Sequence, residues 1–365
     1  PVAFTACVFH HSDIGGRVSS DNREVIEEGL FIPRVKLYDA GVLNEDVLEM
    51  IRWNVRTPEE VTGDIRSQVA ANHVCGQKII EMMADEGLGS LEGLADEIIQ
   101  RTEQSMRQAI AMIPDGVYPY EGVIEGAGER DDINICLTVA VKDSDIRVDF
   151  SNTSLQVNWG VNVVYNFTYA YVFMAIKSVF DPDLPINEGA IRPVTMTAPE
   201  GSVVNCSFPA AVAARMQVGH FMTEMVFRAL STAVPDRIIS DSGGTPAQTN
   251  IFYGKRHDGK PFHTMIIRGG GLGASRSKDG HQCAIFPANG ANTPIEILES
   301  DTPLMVLARE LICDSGGAGN KRGGLGRRMC IRVPDDAFAP EAPVAIAVQA
   351  GRFRYPPNGI FGGKH

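Results

Sequence analysis

Two histidines and an aspartate arrive together at the end of an apolar run, in Phe4-Thr-Ala-Cys-Val-Phe-His-His-Ser-Asp-Ile-Gly-Gly16. Phe4 to Phe9 carry the β-branched, aromatic and small side chains of a buried strand. Gly15 and Gly16 let the backbone turn sharply where that strand ends. Neutral imidazole and carboxylate oxygen are both ligands for divalent metals, and histidine is the side chain most easily poised near neutral pH. The short motif supplies at most part of a ligand set, so a complete site needs more from elsewhere. The alternative is a surface turn with two ordinary histidines.

Two further groups have the composition of a site. Asp64, Gln68 and Asn72 recur at helical spacing and share one face, beside an apolar stripe of Val61, Ile65 and Val69. Such a row is either a solvated face or the lining of a pocket. The stretch Asp314-Ser-Gly-Gly-Ala-Gly-Asn-Lys-Arg-Gly-Gly-Leu-Gly326 sets glycine-exposed backbone N–H groups beside Lys321 and Arg322, with Arg327 and Arg328 next. That chemistry suits a carboxylate or phosphoryl oxygen, whereas the simpler reading is a tight turn whose arginines pair with surface carboxylates. Gly269 to Ala274 satisfies G-x-G-x-x-A after a strand, but no amphipathic helix follows to hold a pyrophosphate. It reads as a flexible loop or a lid. No P-loop and no G-x-S-x-G elbow is present.

The elements that must position these groups follow from local signals. A short amphipathic helix is expected from Glu45 to Trp53. Thr57-Pro58-Glu59-Glu60 opens a long helix that should run to near Glu86 and stop at Gly87. Ser90 caps a second, reaching about Ile113, and the two are expected to form a helical hairpin. Gly122–Gly126, 133–142 and 146–150 read as a strand meander with Asp143-Ser144-Asp145 as a tight turn. A buried helix at 163–180 and another at 217–233 come next. Residues 251–253 and 262–268 should pair as a hairpin around His257-Asp258-Gly259-Lys260. Thr302 to Cys313 reads as a last helix, and the final forty residues as strands and turns. The expected class is α+β (mixed α/β): a helical hairpin packed with meandering, mostly antiparallel sheets. Three regions are expected, 1–56 around the histidine motif, 57–116 for the helical hairpin and 117–365 for the rest, as one large composite domain or two.

With 33 basic against 45 acidic residues, the net charge of −12 argues against nucleic acid or an anionic membrane as the main partner. The uncharged run between Asp149 and Lys177 is long, but its asparagines and Gln156 would be costly in lipid. Seven cysteines stand singly, without C-x-x-C, as in a cytoplasmic protein with reduced thiols.

Taken in order, His10-His-Ser-Asp-Ile-Gly-Gly16, Glu28-Gly-Leu30, Asn54-Val-Arg-Thr-Pro58, Gly63-Asp64, Gln68-Val-Ala-Ala-Asn72, Arg192-Pro193, Ala198-Pro-Glu-Gly-Ser202, Pro294-Ile-Glu-Ile-Leu-Glu299 and Asp314-Ser-Gly-Gly-Ala-Gly319 resemble the hydantoinase B family. That family holds B subunits of ATP-dependent N-methylhydantoinases, the C-terminal half of 5-oxoprolinases, caprolactamase-type lactam hydrolases and the large subunits of acetone and acetophenone carboxylases. Family members carry an acidic and histidine-bearing segment ahead of the first motif, so the chain is expected to be an internal portion of a longer subunit or one piece of a split one.

The resemblance implies a divalent metal (Mn, Zn, Fe or Mg) with His10 as ligand and Asp13 as ligand or orienter. His11, Asp64, Gln68 and Asn72 become the candidate catalytic set. Lys321, Arg322, Gly317 and Gly319 become the candidate anion-binding set. It further implies an A-type subunit that uses ATP and Mg to phosphorylate a small-molecule substrate, so a hetero-oligomer is expected. The reaction would be hydrolysis of a cyclic amide, with ketone carboxylation as the alternative and a non-catalytic scaffold as the reading of another class.

Overall fold

The structure, a computed structural model, describes residues 3–11, 13–126, 128, 130–246, 248–256, 258–334 and 344–364. Strands β1 (Tyr38–Asp39) and β2 (Val42–Leu43) turn tightly about Gly41, at φ +86°. Helix α1 (Glu45–Trp53) is capped by the Asn44 side chain, which accepts from the Val47 N–H. Helix α2 (Pro58–Asp85) opens with proline and two glutamates in its first turn, and the chain leaves it through Gly87, at φ +64°. Helix α3 (Glu92–Ala111) follows, with the Ser90 hydroxyl accepting from the Glu92 N–H at 3.2 Å.

A four-stranded sheet is built next from β3 (Gly116–Ile124), β4 (Ile133–Lys142) and β5 (Asp145–Asp149), with Asp143 at φ +54° in the turn between the last two. β3 begins at Gly116, earlier than the expected Gly122, and is an edge strand, which is where Pro119 can be tolerated. After α4 (Tyr165–Phe180) and α5 (Glu188–Ile191), β6 (Val194–Thr197) completes the sheet parallel to β5. Helices α6 (Met216–Gly219) and α7 (Phe221–Ala229) follow end to end. A second sheet holds β7 (Gln248–Lys255) and β8 (Pro261–Arg268). The expected hairpin is therefore present, although His257 at its turn lies outside the described residues. Helix α8 (Ile295–Asp301), the antiparallel pair β9 (Met305–Leu311) and β10 (Arg327–Arg332), and β11 (Ala345–Gln349), which pairs with β7, complete the chain.

The α+β class is as expected, with mostly antiparallel sheets. The main core lies on the β4 face that carries Ile133, Ile135, Leu137, Val139 and Val141, covered by α3, α4 and α7. A second core gathers Phe252, Phe262, Ile266, Leu298 and Leu304. Val47, Ile51 and Val61 form a third, between α1 and α2. Here the helical hairpin needs correcting. α2 and α3 are consecutive, yet α2 packs chiefly on α1 while α3 packs on α5, β5 and α4. Each apolar stripe has found a different partner.

Two further expectations are corrected. Residues 302–313 are mainly strand β9: the antiparallel partner β10 overrides the helix-forming composition of Met-Val-Leu-Ala-Arg-Glu-Leu. Residues 3–11 run without regular structure rather than as a buried strand, and Phe4 and Val8 are 91% and 93% exposed. Their alternation is real, since Thr5, Cys7 and His11 are half-buried, but among the described residues no strand pairs with the segment. Among the described residues no helix is long and apolar enough to cross a membrane.

Candidate functional site

The N-terminal motif lies against α2. The Thr5 hydroxyl donates to the Asn72 carbonyl at 3.3 Å, and His11 Nδ1 lies 3.8 Å from Asp64 Oδ2. Residues 5–11 thus cover the Asp64, Gln68 and Asn72 stripe, and all three are half-buried rather than on a solvated face. The His11 Nδ1 is buried without a hydrogen bond, and its ring meets Phe9 edge-on at 5.9 Å. His10 is exposed. Asp13 is buried, and its carboxylate accepts from the Gly15 N–H at 3.1 Å, from the Arg56 guanidinium at 2.7 Å and from the Arg56 backbone N–H. Burial opposes ionisation of Asp13, but these donors prevail and hold its carboxyl below the ordinary range. The double glycine is needed for a close approach: a Cβ on Gly16 would stand 2.0 Å from the Glu28 backbone.

His263 on β8 belongs to the same corner and was missed from sequence. Burial lowers its pKa, while the Asp13 carboxylate and Arg56 act on it with opposite signs. Strand periodicity identified β8 but not which element its faces would meet. These residues do not by themselves fit a metal. Among the described residues no group of three His, Cys, Asp or Glu side chains is placed to hold one, and both Asp13 oxygens are already engaged.

A second centre lies where the glycine runs meet. Gly269–Ala274, the loop from Ser315 to Arg327, residues 240–244 and the loop 357–364 enclose a cavity of about 1020 Å³. Gly317, Gly319 and Lys321 line it, whereas the Arg322 side chain is exposed outside that lining and its backbone N–H donates to Asp279 at 2.8 Å. The first glycine run is a packed wall of this cavity rather than a free lid. A Cβ on Gly271 would lie 2.0 Å from the Gly324 carbonyl oxygen, so the two runs cross in backbone contact. Arg268 and Arg327 also line the cavity, and Arg268 gave no signal beyond closing an apolar strand.

Behind the cavity, Arg228 and Arg352 hold two buried carboxylates. Arg228 Nε donates to Asp241 at 2.7 Å, Arg352 meets Glu224, and Arg352 Nη1 lies 3.5 Å from Asp241. The Arg228 guanidinium also donates to the Gly359 carbonyl at 2.9 Å, and Asp241 accepts from the Asn358 N–H at 3.0 Å. This cluster ties the 357–364 wall to α7.

A model of the hydantoinase B/oxoprolinase family matches residues 1–365. This chain belongs to the hydantoinase B/oxoprolinase family. An uncharacterized protein of Methanocaldococcus jannaschii is 32% identical over 99% of this chain and 62% of its own length. The caprolactamase subunit beta of Pseudomonas jessenii is 28% identical over 90% of the chain and 58% of its own length. The solved ATP-dependent caprolactamase from the same organism superposes with a TM-score of 0.81 at 26% identity, covering 88% of this chain and 57% of that one. Nucleotide-free acetone carboxylase superposes with a TM-score of 0.82 at 20% identity, over 92% of this chain and 47% of that one, a likeness of fold. The chain therefore spans less than two thirds of these family members.

Proposed function

We propose that this hydantoinase B/oxoprolinase chain acts within a B-type subunit of an ATP-dependent cyclic-amide hydrolase, opening a hydantoin, 5-oxoproline or lactam ring that an A-type subunit has first phosphorylated. The observation that carries this reading is the glycine-walled, cation-bearing cavity, in a chain 28% identical to a caprolactamase subunit beta. An unstrained amide is a poor electrophile. Phosphorylation of its oxygen activates the carbon and supplies a leaving group, and the activated species must be kept from bulk water until it reacts. Lys321 and the backbone of Gly317 and Gly319 would face its anionic group, with exposed Arg322 contacting the substrate's rim or the partner. His11, 3.8 Å from Asp64, would act as general acid or base, with the Gln68 and Asn72 amides positioning the substrate by hydrogen bonds. His10 would be a divalent-metal ligand with Asp13, whose two oxygens are engaged by Arg56, as an orienter; the described residues do not complete a ligand set.

Two measurements test this. The purified protein, mixed with an A-type subunit and Mg-ATP, should open a cyclic amide and release ADP only when substrate is present. Omitting partner or nucleotide should abolish turnover. Turnover of a ketone with bicarbonate, and of no cyclic amide, would replace the reading with the carboxylase one. Elemental analysis should find metal in the complete subunit and a loss of it in His10→Ala. Metal-free protein under every loading condition, with no turnover, would leave a scaffold.

A further inference from the structure

Among the described residues, half of the 24 arginines of this acidic chain meet a carboxylate. Arg56, Arg107, Arg192, Arg228, Arg328 and Arg352 all meet carboxylates. Arg268, Arg309 and Arg327 do not: among the described residues none of the three has a carboxylate within ion-pair distance. What orients them is neutral. Arg268 Nη2 donates to the Asn250 side-chain oxygen at 3.0 Å, Arg327 Nη1 to the Asn292 side-chain oxygen at 2.6 Å, and Arg309 Nη1 to the Thr293 carbonyl at 2.9 Å. An amide fixes a guanidinium plane without cancelling its charge, so each fork keeps free N–H donors and a full positive charge.

Arg268 and Arg327 both line the glycine-walled cavity, and the Arg268 Nε is buried with no hydrogen-bond partner. Burial lowers the pKa of each, and for Arg327 the neighbouring Arg309 and Arg268 charges add to the effect. Holding like charges together in a half-buried place is unfavourable unless a counter-charge arrives. Asp241 lines the same cavity but is held by Arg228, and only the Cys283 thiol opposes the shift at Arg327; among the described residues no carboxylate is within ion-pair distance of the three arginines.

We propose that Arg268 and Arg327, with Arg309 behind them, form an oxyanion site in this cavity that takes the phosphoryl or carboxylate group of a small ligand. Two planar forks against a backbone wall match the paired oxygens of either group. Lys321 faces the same space as a point charge and adds attraction without directional fit. The site lies away from the histidine corner. His263, beside Asp13, and Arg268 are on the same strand, roughly 17 Å apart along it, so the cavity arginines are set apart from the Asp13 corner. The proposal rests on the functional reading only for what the ligand does, since binding can be read without turnover.

The experiment is calorimetric titration of the purified protein with inorganic phosphate, with bicarbonate and with acetate, each at constant ionic strength. Arg268→Gln and Arg327→Gln are compared with Arg328→Gln, whose side chain is exposed and pairs with Glu310. Each cavity variant should weaken binding of the preferred anion by at least about tenfold, the usual result of losing a charge-assisted fork, and Arg328→Gln should leave it unchanged. Arg268→Lys, which keeps the charge but not the fork, should also weaken it and guards against misfolding of the glutamine variant. Preference for phosphate identifies a phosphoryl ligand; preference for acetate or bicarbonate identifies a carboxylate. Wild-type protein that binds none of the three, or folded variants that bind as well as wild type, would overturn the proposal. Because these titrations need neither ATP nor partner, their failure would not be confused with a failure of the hydrolase reading.

Discussion

Replacing Arg352 with methionine should lower the unfolding free energy by about 3–5 kcal/mol, the usual result of stripping one partner from a buried ion cluster. Arg352 and Glu224 are 11% and 4% exposed at their side chains, so the carboxylates left behind cannot turn to water. Methionine keeps much of the volume, and the loss is therefore electrostatic rather than a cavity. Arg352 Nε also donates to the Thr245 carbonyl at 2.9 Å, which would be left unsatisfied. Urea denaturation well above pH 7, where Glu224 is ionised in the wild type, measures the effect, and a loss below about 1 kcal/mol would be no more than an ordinary substitution and would sink the argument. The same cluster should give the wild type a pH signature. Burial pushes the Glu224 carboxyl up to about 7 from its ordinary 4.5, against the pull of Arg352. Between those values the folded protein holds a proton that the unfolded chain has released, so stability from this group is full below about pH 4.5 and falls as pH rises through about 7. Glu224→Gln should remove that slope. A wild type whose stability stays level across the window, after Glu224→Gln is subtracted, would mean that Arg352 keeps Glu224 ionised throughout.

The elements read well from sequence are those with local causes. The bounds of α1 at Glu45 and Trp53, the Thr57-Pro58 start and Gly87 mark helix ends through causes confined to a few residues. The β4–β5 turn is equally local. Residues 305–311 were misread because their partner β10 lies beyond a long glycine loop, and only the pairing makes a helix-forming run extend. The segment of Phe4 to Phe9 meets α2 at Thr5, but alternation cannot say whether anything covers the outward side chains. For the site the split is similar. The composition of 316–326 suggested an anion-binding loop, and Lys321 lines the cavity, yet its neighbour Arg322 is exposed outside it. Arg268 could not have been found, because its place in the cavity lining depends on segments far apart in sequence. The Asp13–Arg56 contact and the position of His263 beside them likewise depend on tertiary approach.

A single methyl group on Gly271 should disrupt the cavity. Its Cβ would lie 2.0 Å from the Gly324 oxygen and 2.4 Å from the Gly324 carbonyl carbon, and these are backbone atoms with no rotamer to change. Relief is costly on either side. The Gly324 N–H donates to the Leu272 carbonyl at 2.8 Å, and the Leu272 N–H to the His281 carbonyl at 2.8 Å, so parting the runs breaks the ladder that joins them. Gly271→Ala should therefore destabilise the protein by about 3 kcal/mol, at the upper end for overpacking, and should weaken anion binding because Arg268 and Arg327 hang on the displaced walls. Gly76→Ala supplies the contrast. Gly76 lies inside α2 with nothing within 4 Å of an added Cβ, so alanine there should raise stability by about 0.5–1 kcal/mol through helix propensity alone. Thermal and urea unfolding of both variants, followed by phosphate titration of whichever remains folded, reads the two effects together. If Gly271→Ala proved as stable as wild type and bound anions equally, the glycine runs would not be in contact as described, and the cavity would lose the walls on which both the oxyanion site and the hydrolase reading depend.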